Sequence, residues 1–307
     1  MTQKVLLIVG PTAVGKTDLS IKLAKKFNGE IISGDSMQVY RKLDIGTAKV
    51  TEDEMDGIPH HLIDHKNNDE RYSVAEFVEE SRAAITDIAA RGKLPIIVGG
   101  TGFYLQALLD NFQLGTNNDD DLSLRGKLQE RAEQLGPEAI WRELNDLDPK
   151  AALKIPINNT LRVIRALEVI QKSNELFSAQ DDKKTNEYDP FIIGLSTDRA
   201  MLYDRINQRV DLMIQSGLVD EARWLFDQKI DDLPAGKGIG YKELYPYFEN
   251  TQSLEEATEL IKRNSRRYAK RQLTWFRNKM TVNWFDLIEY PDQMVTIEQQ
   301  VTDWLRN

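Results

Sequence analysis

The 307-residue chain contains no cysteine. That excludes disulfides, thiolate nucleophiles and any thiolate-bound zinc. It has no apolar run long enough to cross a bilayer and no signal-like start, so a soluble, cytoplasmic protein without a membrane partner is expected. Histidine is scarce. All three, His60, His61 and His65, follow Pro59 around Leu62-Ile63, which reads as a short strand rather than a ligand helix. With neither H-E-x-x-H nor a cysteine partner, a metal site there is disfavoured. Positive charge is also in deficit, at 40 Lys and Arg against 49 acids, or −9 overall. A generally sticky, nucleic-acid-coating surface is thereby excluded.

The distribution of that charge reverses the first impression. Residues 262–279 carry Lys262, Arg263, Arg266, Arg267, Lys270, Arg271, Arg277 and Lys279 with no acid, leaving −17 for the rest of the chain. Segregation of this kind points to a polyanion docking at one place. Tyr268, Trp275 and Phe276 interleave with the charges, which suits an RNA backbone and exposed bases, although aromatics at such spacing also serve as core anchors.

The N-terminal stretch organises the remainder. Val5-Leu6-Leu7-Ile8-Val9 reads as a buried strand, and Gly10-Pro11-Thr12-Ala13-Val14-Gly15-Lys16-Thr17 matches the phosphate-binding pattern G-x-x-x-x-G-K-[ST]. Leu19, Leu23 and Phe27 mark one face of the helix that follows. Lys16 offers a charge to an anion cradled by backbone N–H groups, and Thr17 offers a hydroxyl to a Mg²⁺ ion. A second strand, Glu30 to Ser33, runs into Gly34 and Asp35. Asp35 there either faces the phosphate loop or makes a helix cap or Asx turn. Ser73 and Glu76 form a capping box for a helix striped by Val74, Phe77, Val78, Ile85 and Ile88. Leu94-Pro95-Ile96-Ile97-Val98 then reads as a central strand delivering Gly99-Gly100-Thr101-Gly102, with Thr101 pointing into the same crevice.

These repeated strand–loop–helix units predict an α/β fold: a P-loop NTPase-like parallel sheet with helices on both faces. Near residues 114–121 the pattern changes. Helices are expected over 122–134, 137–145 and 159–172, with residues 180–186 as a mobile connection. The expected organisation is a catalytic core of residues 1–115 and 187–307, a helical insertion of residues 116–186, and a basic C-terminal helix opened by a capping box at Ser253 and Glu256.

Together the segments Gly10 to Thr17, Asp35 to Arg41, Asp44 to Lys49, Pro59 to Asp64, Gly99 to Tyr104, Arg162 to Glu168 and Lys270 to Arg277 resemble the bacterial tRNA dimethylallyltransferases, in order from residue 5 to about residue 285. The resemblance implies transfer of a dimethylallyl group from dimethylallyl diphosphate to the exocyclic amine of adenosine 37, next to the anticodon. It implies that Gly10, Pro11, Thr12, Ala13, Val14, Gly15, Lys16 and Thr17 hold the diphosphate with Mg²⁺ on Thr17. Arg223 would complete the cradle, Asp35 would act as base, and Thr101 would bond the base or nearby RNA. The tRNA anticodon stem-loop would meet Ser36, Met37, Gln38, Arg125, Leu161, Arg162, Val163, Ile164, Arg165, Gly240, Tyr241, Lys242, Lys270, Arg271, Gln272, Thr274, Trp275 and Arg277. The expected assembly is a monomer. Three rivals share parts of this pattern. A small-metabolite kinase has no use for the basic helix, an adenylate-modifying relative has none for the insertion, and a non-catalytic RNA-binding module leaves Asp35 and Thr101 unexplained.

Overall fold

In a computed structural model of the chain, residues 2–112, 122–179 and 187–307 are described. The chain divides into two compact units, Met1–Leu109 with Asn186–Asn307, and Asp110–Thr185.

The first unit opens with β1 (Gln3–Val9), α1 (Lys16–Lys26), β2 (Gly29–Ser33), α2 (Glu52–Met55), β3 (His60–His61), α3 (Val74–Ala90), β4 (Leu94–Gly99) and α4 (Gly102–Leu109). The second unit contributes α5 (Leu122–Leu135), α6 (Pro137–Leu147), α7 (Pro149–Lys154) and α8 (Thr160–Ser173). The chain then returns as β5 (Tyr188–Leu195), α9 (Arg199–Gln215), α10 (Leu218–Asp227), α11 (Tyr245–Phe248), α12 (Leu254–Lys279), β6 (Asn283–Phe285) and α13 (Gln293–Arg306).

The six strands form one parallel sheet in the order β3-β2-β4-β1-β5-β6. Parallel strands need both faces covered, and the apolar runs supply the means. Leu6 and Ile8 pack with Leu19 and Leu23 of α1 and with Ile297 and Val301 of α13. Alternate residues Val5, Leu7 and Val9 are equally buried, and α3 presents Phe77, Val78, Ile85 and Ile88 inward. The capping boxes at Ser73–Glu76 and Ser253–Glu256 both form, fixing where α3 and α12 start. His60–His61 is a strand as its flanks predict.

Register decides where the loops emerge. Val9 lies beside Gly99 on one side and Gly194 on the other, and Ser33 lies beside Val98. The carboxyl ends of β1, β2, β4 and β5 therefore finish level, and their loops share one edge, where open α/β sheets take ligands.

The second unit has its own core, in which Leu128, Ile140, Leu144, Val163, Ile164 and Leu167 meet. Three of its helices fall where periodicity predicts; α7 is too short to show a period. The expected connection at 180–186 and the change near 114–121 lie outside the described residues.

Candidate active site

The phosphate loop is shaped by Gly15, whose φ of +95° an L side chain rarely adopts. No side chain caps the start of α1, so its first N–H groups remain open to an anion. The Lys16 ammonium arches back and donates to the Pro11 carbonyl at 2.7 Å. Burial, then the Arg209 guanidinium, pull its pKa down to about 8, against the opposing pull of Asp35. The Thr17 hydroxyl is exposed on the first turn of α1 and takes no hydrogen bond among the described residues. A hard oxygen donor so placed beside an anion cradle fits Mg²⁺ shared with phosphate oxygens.

Asp35 follows β2 and forms an Asx turn within electrostatic reach of Lys16. Its Oδ1 accepts the Met37 N–H at 2.8 Å in an Asx turn, which leaves Oδ2 for a partner from outside. The turn is held to the next loop, because Thr101 Oγ1 accepts the Ser36 N–H at 3.2 Å. Asp35 acts electrostatically on Lys16, Arg209 and Tyr268. Tyr268 sits beside Thr101 and Gln272, and burial followed by the Asp35 charge pushes its phenol up to about 12. The sequence does not assign Tyr268 to the site, yet its spacing could have done so: Tyr268, Gln272 and Trp275 share one side of α12.

Two arginines of α9 meet the phosphate loop. Arg205 Nε donates to the Ala13 carbonyl at 2.9 Å, and Arg209, one turn on, faces Lys16. Arg223 lies exposed on α10. Its guanidinium centre lies 3.8 Å from the Phe248 ring centroid, in a cation–π contact between α10 and α11. Arg205 and Arg209 reach the loop because α9 follows β5, the strand beside β1.

The basic helix α12 does more than carry charge. Gln272 is 5% exposed, and its carboxamide joins two loops, accepting the Thr12 N–H and donating to the Gly100 carbonyl, both at 3.1 Å. A Cβ on Gly100 would lie 2.0 Å from Gln272 Nε2, so only glycine admits the clamp. Gln272 is thus a structural clamp and not an RNA contact, and the Thr12 N–H is already engaged. Trp275 meets Phe103 edge-on at 6.0 Å, and Phe276 is core. Lys270, Arg271, Thr274 and Arg277 stay exposed.

Other expected RNA contacts are also internal. Val163 and Ile164 face the core of the second unit with Ala166 and Leu167, since residues three and four apart share one side of a helix. Tyr241 is fully buried and its hydroxyl donates to Glu221 Oε1 at 2.6 Å. Gly240 is buried too, donating to Glu243, which leaves Lys242 as the exposed member of that stretch. Glu221 also accepts the N–H groups of Asp44, Ile45 and Gly46, each at 2.9 Å. Gln38 spends its amide on the Thr47 and Ala48 carbonyls, at 3.3 and 3.4 Å. Sequence spacing gave no sign of the Glu221 contacts, whose partners lie 175–177 residues away.

Within the second unit, Leu161 is 76% exposed and Arg162 is exposed beside it. Arg125 and Arg165 pair with the buried Glu168 carboxylate at 2.8 and 3.0 Å. Burial opposes its ionisation, but the two guanidiniums hold its pKa below the usual range. The histidines are also engaged: His61 Nε2 lies 2.8 Å from Glu30, and His65 Nε2 lies 2.9 Å from Glu80. Among the described residues no group of three His, Asp or Glu side chains could hold a metal ion.

Comparison with known proteins agrees with this geometry. The family model described as IPP transferase matches residues 38–279. The chain is 60% identical over 306 residues to the tRNA dimethylallyltransferase of Limosilactobacillus reuteri, covering 99% of both chains. It is 55% identical over 305 residues to that of Enterococcus faecalis, covering 99% of this chain and 98% of the relative. Among solved structures, the full-length tRNA isopentenylpyrophosphate transferase of Bacillus halodurans matches with a TM-score of 0.75 at 49% identity, covering 99% of this chain and 97% of that one. A eukaryotic dimethylallyltransferase acting on tRNA matches with a TM-score of 0.81 at 34% identity, over 94% of this chain and 76% of that one. By sequence over its whole length and by fold, the chain belongs to the tRNA dimethylallyltransferase family of prenyl transferases.

Proposed function

We propose that the enzyme transfers a dimethylallyl group from dimethylallyl diphosphate to the exocyclic amine of adenosine 37 of tRNA. The observation that carries the mechanism is one crevice in which Asp35 lies within electrostatic reach of Lys16 and Arg209 while its loop is pinned to Thr101. The diphosphate rests on the open N-terminus of α1, with Lys16, Arg205 and Arg209 around it and Arg223 completing the cradle. As the allylic C–O bond breaks, its electron pair and developing charge pass to the diphosphate, where these cations stabilise them. Thr17 would hold a Mg²⁺ ion, which when bound supplies further neutralisation of the leaving group.

A neutral aromatic amine is a weak nucleophile. The free Oδ2 of Asp35 takes its proton as nitrogen bonds to the allylic carbon, giving N6-isopentenyladenosine and diphosphate. Tyr268, held protonated, and Thr101 orient the base. The adenine must leave the anticodon stack to reach the crevice, so the reaction proceeds by base flipping. Arg125, Arg162, Arg165, Lys242 and the exposed side of α12 grip the anticodon arm, chiefly by its phosphates. The working form is a cytoplasmic monomer.

Mass spectrometry of undermodified tRNA after incubation with the isotopically labelled donor tests the reading. One dimethylallyl group on adenosine 37, with no ATP hydrolysis, is the expected result. Comparable transfer to free AMP would instead assign the chain to a nucleotide-modifying role.

A further inference from the structure

Gln272, Tyr268 and Trp275 tie one side of α12 to the reaction crevice, but a second cavity opens on the opposite side. It encloses about 320 Å³ and is lined by Thr197 after β5, Arg199 and Tyr203 of α9, and Lys270, Thr274 and Arg277 of α12. At 3.6 residues per turn, Lys270, Thr274 and Arg277 lie about 140–200° around the helix from Gln272. A ligand there is separated from the clamped loops by roughly the 10 Å width of a helix.

The lining is built for an anion. Its three charged residues are all basic, and none of them has an ion pair among the described residues. Arg199 is stacked 5.1 Å from the Tyr203 ring and Arg277 is 5.6 Å from the Trp284 ring. A guanidinium lying over a ring keeps N–H groups available to an acceptor. The neighbouring carboxylate, Asp198, is turned away to cap α9, accepting the N–H groups of Ala200 and Met201 at 2.7 and 3.3 Å. Three cations with no carboxylate partner among the described residues, beside an aromatic ring, are the parts of a phosphate site with room for an attached sugar or base.

We propose that this cavity is a nucleotide subsite for the tRNA chain, distinct from the one that receives the reacting adenine, in which Arg199 and Tyr203 extend the RNA-binding surface beyond the basic helix. It rests on the tRNA reading above. A polynucleotide fits better than a free nucleotide because Arg263, Arg267 and Arg271 continue the exposed positive track along α12, and only a chain of phosphates uses both track and cavity.

The test is tRNA affinity by filter retention across a range of salt concentrations, which does not require transfer. Arg199→Gln is expected to weaken binding about five- to tenfold and to lower the log–log salt slope by roughly 0.7–1. Arg306→Gln, which removes the same charge from the exposed end of α13, is expected to change neither. Under transfer conditions, Arg199→Gln should raise KM for tRNA while leaving KM for dimethylallyl diphosphate within about twofold. Wild-type affinity and slope in Arg199→Gln would overturn the subsite while leaving transfer by the wild-type enzyme intact. Competition by millimolar AMP against tRNA that disappears in Arg199→Gln would assign the cavity to a free nucleotide instead. Loss of wild-type transfer itself would sink the tRNA reading, a different failure.

Discussion

At the scale of single residues, Asp35 and Lys16 carry the sharpest expectations. Asn at position 35 can still accept the Met37 N–H through its amide oxygen, so Asp35→Asn keeps the Asx turn while removing the base. Transfer should slow by at least about a hundredfold, the usual scale for losing a general base, with tRNA affinity nearly unchanged. An equal loss in tRNA binding would reduce Asp35 to a positioning residue. Lys16 makes a prediction about protons. With its pKa drawn down to about 8 by burial and Arg209, the free enzyme at pH 8.5 holds it largely neutral. A bound diphosphate favours the charged form and raises that pKa, so donor binding at pH 8.5 should be accompanied by net proton uptake. Donor affinity should accordingly fall as pH rises above about 8. Calorimetry in buffers of different ionisation enthalpy measures the uptake, and Lys16→Arg, charged throughout, should abolish it. Identical uptake in both proteins would trace the proton to another group.

At the scale of elements, α12 shows which features of this molecule were readable and which were not. Its start was written in the Ser253–Glu256 box, as the phosphate loop was in its glycines and lysine, because those signals are local. The three level loops were legible for a similar reason, since a parallel sheet imposes its own edge. What stayed hidden was the sidedness of helices. Within an eight-residue segment that resembles an RNA contact, Gln272 turns inward to join two loops while Lys270 and Thr274 turn outward. Val163 and Ile164 are hidden between exposed Arg162 and half-buried Arg165 in the same way. The bonds of Glu221 carry no local signal, because its partners lie more than 170 residues away. The clamp can be tested as an element. Gln272→Ala strands the Thr12 N–H and the Gly100 carbonyl and should cost about 2–4 kcal/mol in urea unfolding. Because no RNA contact is lost, the salt slope of tRNA binding should not move. Retained stability with a shallower slope would return Gln272 to the RNA surface.

At the scale of the whole molecule, a protein of net charge −9 must attract a polyanion without presenting a uniformly positive surface. Concentration of charge on α12 solves this, and not all of that charge is free. Lys262 pairs with Asp211 and Glu259 at 2.8 and 3.0 Å, and Arg266 is held by Asn207. Arg263, Arg267, Lys270, Arg271, Arg277 and Lys279 remain exposed along a helix of 26 residues. Six phosphate contacts by these side chains would give a log–log salt slope of about −4 for single-stranded RNA, each contact contributing roughly 0.7. Lys270→Gln with Arg271→Gln should therefore make the slope shallower by about 1.4 and weaken tRNA binding at low salt by one to two orders of magnitude. The donor binds elsewhere, on the phosphate loop, so its KM should stay within about twofold. The acidic remainder of the surface adds a further expectation, because screening weakens its repulsion of RNA as salt rises. The measured wild-type slope should then be shallower than a count of cations alone implies. An unaltered slope in the double variant would mean that the RNA backbone runs over a different face of the protein.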